Sequence, residues 1–337
     1  MTAIDRRQFN RSLLAVPAAA LLGTGLGALA PAAASAAPAD WDAHFLAGMA
    51  NGELLHRMRT GDGSWGTGWS KVATPPATLY RVSCVGMNGN LHTVATLNGG
   101  TPDYGVRRSA DGSWTAFTPI PSESGPTTGA VHVAVTALNG VLHVFGASEG
   151  GGALYHTVRN TDGVWQPRWV TLKTFGRISH IATTKVGSTI DTAVIADGRL
   201  FHAIRSSGGT WSGWGNIESA AGDIGDPYHV AVAGIGSQLH VVALNGSSGV
   251  FHAIRRADAT WQPFRKVAVF NNYRPFEVSA ANVGGELQVG IIDLATNGTQ
   301  AVRHSIRRTD GTWRSVSTVS RTGFTGEPGV LAMAAIQ

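Results

Sequence analysis

Val250-Phe251-His252-Ala253-Ile254-Arg255-Arg256-Ala257-Asp258-Ala259-Thr260-Trp261 reads as an apolar strand, an arginine, a tight turn and a tryptophan that opens the next strand. The same grammar returns five more times, at Trp65, Trp114, Trp165, Trp211 and Trp313, in steps of 46 to 52 residues. Six residues before each tryptophan stands an arginine: Arg59, Arg108, Arg159, Arg205, Arg255 and Arg307. Nine residues before it stands a histidine, His56, His156, His202, His252 or His304, with Gly105 as the exception in the second copy. Self-similarity with a period near 50 residues is the mark of a repeat architecture and takes precedence over any domain count drawn from length.

The clearest copy runs from Tyr228 to Val267 and contains four short strand patterns separated by turn residues. Asn88-Gly89 and Asn139-Gly140 lie between first and second strands. Asn51-Gly52, Asp197-Gly198, Asn245-Gly246 and Asn297-Gly298 lie between second and third. Asp62-Gly63, Asp111-Gly112, Asp162-Gly163 and Asp310-Gly311 lie between third and fourth, and such pairs supply the positive φ of tight hairpins. Four antiparallel strands repeated six times predict an all-β fold, a six-bladed β-propeller with twenty-four strands. The first copy, starting at Trp41, lacks a first strand, while the run Val330–Ile336 follows the last copy as an orphan. Pairing that orphan into the first blade closes the ring and removes two bare sheet edges.

Residues 1–36 read as a signal segment rather than fold. Asp5-Arg6-Arg7-Gln8-Phe9 is similar to the twin-arginine export motif, an apolar stretch from Leu13 to Ala30 follows, and Ala34-Ser35-Ala36 offers a cleavage site. The expected mature chain is 37–337, a secreted protein with no membrane insertion once the signal is removed. Arg6, Arg7 and Arg11 against Asp5 account for two of the five net positive charges. No basic run remains, which argues against a nucleic-acid partner. Cys84 is the only cysteine, so no internal disulfide forms; it alternates with Val82 in an apolar run and is expected to be buried and inert.

All twelve histidines fall on repeat positions. His44, His92, His143 and His240 share one second-strand place, filled in the other copies by Asp191 and Gln288; His132, His180 and His229 lie in first strands. Their spacing matches no metal-binding motif and no cofactor is expected; they either tie neighbouring strands together or face a ligand. The repeated arginines likewise either clamp the Asp-Gly turn or present a donor fork to hydroxyls and carboxylates. Three or four residues after the anchor tryptophans come Trp69, Phe117, Trp169, Trp214 and Phe264, with Val316 in the sixth copy. The anchors Trp65, Trp114, Trp165, Trp211, Trp261 and Trp313 are expected in the core. The second aromatics either pack or form a surface on which sugar C–H faces stack beside the cation. Glutamates occupy no shared place, and no nucleophile elbow, phosphate loop or zinc motif is present, so no catalytic set is expected.

Leu239-His240-Val241-Val242 with Gly249-Val250-Phe251-His252, and Gly209-Thr210-Trp211-Ser212-Gly213-Trp214, resemble the repeats of bacterial PLL-like β-propeller lectins. They are more distantly similar to those of the fungal fucose-specific six-bladed lectins, over residues 41–337. The resemblance implies multivalent glycan binding in grooves between blades, with fucose or methylated sugars as typical ligands, through the arginines, third-strand histidines and second aromatics named above. The fucose-specific family pairs its arginine with a repeated glutamate, and none recurs here.

Overall fold

The computed structural model describes residues 41–73, 79–97, 101–121, 123–126, 131–148, 150–246, 249–295 and 298–337. The expected export segment lies outside the described residues, as do Glu149 and Asn297.

Among the described residues, twenty-four strands form six antiparallel sheets of four. Blade one comprises Asp42–Met49, Leu54–Arg59 and Ser70–Ala73, with Pro328–Ile336 as its first strand. The first strands of blades two to six are Leu79–Met87, Val131–Leu138, Ile178–Val186, Pro227–Ile235 and Pro275–Val283. Each touches the first strands of both neighbouring blades, and Pro328–Ile336 sits between those of blades six and two. The expected closure is therefore present: Phe45 lies opposite Met333 and Leu46 opposite Ala332.

The turns follow the chemistry of their residues. Asn88-Gly89, Asn139-Gly140 and Asp197-Gly198 have positive φ at both positions, the geometry whose twist matches that of the strands it joins. The fourth strand departs from expectation. Only in blade five does it open with the tryptophan, as Trp261–Lys266. Elsewhere the tryptophan makes one bridge to the preceding arginine, as in Arg205↔Trp211, and one more backbone bond follows, Ser212 N to Ile204 O at 2.8 Å. The chain then bows out before the ladder resumes at Gly215–Asn216.

The core lies between blades. One apolar cluster joins Val242, Leu244 and Val250 of blade five to Val278, Leu287 and Val289 of blade six, and five comparable clusters complete the described set. Full burial of Phe45, Phe145 and Phe270 contributes about 2–3 kcal/mol each. Near the axis the first strands converge so closely that a side chain at Gly234 would run into the Lys185 carbonyl. Side chains also bond one inner strand to the next, as Asn282 Nδ2 does to Gly234 O at 2.8 Å. Cys84 is buried, and burial pushes its thiol pKa up, as expected of an inert thiol.

Candidate functional site at the seams between blades

Each seam begins with a side-chain pair on one blade. Second- and third-strand residues lying diagonally across the ladder share a face, close enough for long side chains to meet. His44 Nδ1 lies 2.8 Å from His56 Nε2, with His143–His156 at 3.0 Å and His240–His252 at 3.1 Å. Asp191 Oδ1 and Gln288 Oε1 accept from His202 and His304 at 2.7 and 2.9 Å. In blade two His92 pairs with the Tyr104 hydroxyl at 2.6 Å. The strand-tying reading is therefore the observed one for the second- and third-strand histidines. All five third-strand histidines are buried. Desolvation, aided by the next blade's arginine, holds His44 down to about 3 and His143 and His240 to about 4, so these rings are neutral at neutral pH.

The next blade supplies a tryptophan. Trp114 meets His56 edge-on at 5.8 Å, and Trp261 and Trp313 meet His202 and His252 at 5.9 and 5.7 Å. Trp211 meets His156 at 6.3 Å, Trp65 meets His304 at 5.6 Å, and Trp165 meets Tyr104 at 5.3 Å. These six anchors, expected in the core, are half-buried at the seams, each packed against the apolar cluster between two blades.

The second aromatics divide by spacing. At three residues past the anchor, Phe117 and Trp214 stack on Trp114 and Trp211, with interplanar angles of 22° and 14°, and Phe264 packs half-buried beside its cluster. At four residues past it, Trp69 and Trp169 are buried, only 5% and 3% exposed. Their Nε1 atoms donate to Ser320 O at 2.9 Å and Pro121 O at 2.8 Å. One extra residue turns the ring to the other side, where it pins the connection arriving from the preceding blade. Trp69 and Trp169 are thus removed as ligand contacts.

The arginines are half-buried, and their guanidinium groups lie over the glycine of their own turn: Arg59 on Gly63, Arg159 on Gly163, Arg205 on Gly209 and Arg307 on Gly311. In blade five Ala259, at φ 69°, takes the glycine's place beneath Arg255. The blade-two member is Arg107, on Gly112, and not Arg108, which is exposed. The turn from Arg108 to Ser113 is one residue longer than Thr60–Ser64, so a fixed count back from Trp114 lands one place short. The same slip replaced Tyr104 with Gly105, whose missing side chain makes room for Phe117. Among the described residues none of Arg59, Arg107, Arg159, Arg205, Arg255 and Arg307 has a carboxylate within ion-pair distance.

Two seams differ from this common frame. Between blades three and four, a cavity of about 440 Å³ runs from His143 and His156 to Arg205 and Trp211, walled by Val141, Val170 and Leu172. Between blades six and one, the places of Val141 and Gln166 are taken by Glu286 and Arg314. The Glu286 side chain is buried with Oε1 unpartnered, and its charge and that of Arg314 both act on Arg59. A glutamate in one copy leaves no periodic trace, which is why spacing alone did not single it out. No group of three His, Cys, Asp or Glu among the described residues is placed to hold a metal ion, and no helix there is long and apolar enough to cross a membrane.

No protein family and no curated protein sequence matches the chain. Solved structures do. The BP39L lectin of Burkholderia pseudomallei aligns with a TM-score of 0.61 at 19% identity, covering 88% of this chain and 85% of that one. The fucose-specific lectin of Aleuria aurantia aligns at 0.59 and 15% identity, covering 85% and 93%. A chain from a nidogen–laminin complex aligns at 0.54 and 11%, covering 86% and 98%. The chain therefore shares the six-bladed fold of fucose-specific propeller lectins over most of its length.

Proposed function

We propose that this chain is an exported, non-catalytic lectin that takes sugars at the seams between its blades. The observation that carries the reading is the six-fold recurrence, among the described residues, of a half-buried guanidinium with no carboxylate in ion-pair contact beside a half-buried indole. A guanidinium donates to hydroxyl and ring oxygens in a fixed fork, and an indole offers an apolar face to C–H bonds. At the seam between blades three and four the neutral His143 and His156 behind Arg205 add no competing charge. Similarity of fold to lectins, one of them crystallised with methyl fucoside, supports the same reading. The seam between blades three and four is the first choice, because its cavity is already open. A single sugar site near millimolar affinity is worth only about 4 kcal/mol, so repetition around one ring supplies avidity. Export by the twin-arginine route, with residues 1–36 removed, belongs to the same proposal.

A glycan array tests it. Signal on a defined sugar class that falls at least about tenfold in both Arg205→Ala and Trp211→Ala supports the lectin. The nidogen–laminin match keeps a protein-binding platform as the rival. Silence across the array, with a protein captured by the folded ring, would establish that rival instead.

A further inference from the structure

The histidines of the first strands take no part in the seams. Near the start of each first strand one equivalent place is held by Arg81, His132, His180, His229, Glu277 and Val330, which lie opposite Thr96, Ala147, Ile195, Leu244, Ile292 and Gly48. The seam pairs sit four residues away along the second strands, at His92, His143 and their equivalents, so this ring lies toward the opposite end of the blades. Arg81, His180, His229 and Glu277 line an axial cavity of about 480 Å³, together with Lys185, Asn282 and mostly small residues such as Ser83, Ala231 and Ser279.

Around the axis the rings follow one another: Tyr80 to His132 at 6.2 Å, His132 to His180 at 6.2 Å, and His180 to His229 at 3.7 Å. His229 Nε2 then stands 2.9 Å from Glu277 Oε2, off the direction needed for a formed hydrogen bond, and Glu277 Oε1 accepts from Leu331 N at 3.4 Å. His132, His180 and His229 are 4%, 8% and 4% exposed. Their Nδ1 atoms and Arg81 Nε have no partner, whereas the paired nitrogen of every seam histidine is satisfied. A sealed, unpartnered Nδ1 is cheapest as a bare lone pair, which leaves the proton on Nε2 as a donor. Arg81 and Arg177 bring positive charge to the arc of His132 and His180, while the one carboxylate, Glu277, stands at the far side against His229. The donors of Arg81 and His180, on the side of the cavity away from Glu277, are the complement of an anion.

We infer that the axial cavity binds a small oxyanion, held by Arg81 and His180 with His132 behind them. This site is independent of the seams and of the carbohydrate reading. Calorimetric titration of the purified protein with sulfate, phosphate and acetate, with chloride as the ionic-strength control, tests it. One saturable site is expected, weakened about tenfold or more by Arg81→Gln and by His180→Gln. The order of affinity among the three anions tells an inorganic ligand from a carboxylate. No saturable binding of any of the three, or binding unchanged by both variants, would overturn the inference. Should either variant fail to fold, histidine NMR on the unaltered protein decides. Sulfate-dependent shifts at His132, His180 and His229 support the site; shifts confined to seam histidines such as His304 refute it.

Discussion

The seam between blades three and four and the seam between blades six and one are built on one frame and end up as different places. Both hold a buried histidine with its hydrogen-bonded partner, His156 with His143 and His304 with Gln288, an edge-on tryptophan and an arginine resting on glycine. In the first, the wall is apolar at Val141 and the connection to the next blade is only residues 175–177, with Phe175 packed on Phe201 and Trp214. In the second, Glu286 and Arg314 charge the wall, and residues 319–327 arch over the rim. There Trp69 N and Nε1 and Arg57 Nη1 fasten them to Thr322 O and Ser320 O at 2.7–2.9 Å. What lies along a seam's rim is therefore set by the linker and by where the second aromatic falls, not by the repeated residues alone.

Removing the pin should have the largest effect. Trp69→Ala deletes a buried ring and one of the two donors to Ser320 O, and should cost about 3–5 kcal/mol in denaturant unfolding. Trp214→Ala, at the open seam, should cost clearly less because that ring is half-exposed. Equal losses would erase the distinction. Exchanging wall chemistry comes next. Val141→Glu with Gln166→Arg gives the open seam the charges of the seam between blades six and one, and neutral-glycan binding there should drop about tenfold or more, read by soaking crystals and by the array.

Acid should also separate the two seams. Burial holds His143 and His156 down at about 4 and about 3, below the 6.5 of a free ring, so the unfolded chain takes up protons first. Their contribution to stability is intact above about pH 6.5 and is lost as pH falls toward 4. The other seam has one such ring, His304, against the non-titrating Gln288. His143→Gln should therefore flatten the fall in thermal midpoint between pH 6.5 and 4, and an unchanged profile would show that the pair does not titrate as a buried unit. The smallest effect is expected from Glu286→Gln. Its unpartnered oxygen means stability should change within about 1 kcal/mol, measured by the same melts.

The blades, their number and the closing strand were legible in the sequence because tight turns and alternation repeat at a fixed interval. The site was legible only in outline. Counting back from Trp114 across a turn that holds one extra residue produced Arg108 and Gly105 in place of Arg107 and Tyr104. Pooling spacings of three and four merged the stacked Trp214 with the buried Trp69, although one step along an extended chain turns a side chain to the other face. The axial set was hidden for another reason. Arg81 and Glu277 stand where other copies have histidine, so only the ladder register shows that they share a ring.

Blade one is assembled from both termini of the folded body, with Asp42 hydrogen-bonded opposite Ile336. Until Pro328–Ile336 docks, Asp42–Met49 is an unguarded edge of nearly continuous apolar residues. A second copy's final strand fits that edge as well as the chain's own does. Crowded refolding thus invites reciprocal exchange of this segment between molecules, yielding two rings tethered by swapped tails rather than one ring sealed by itself.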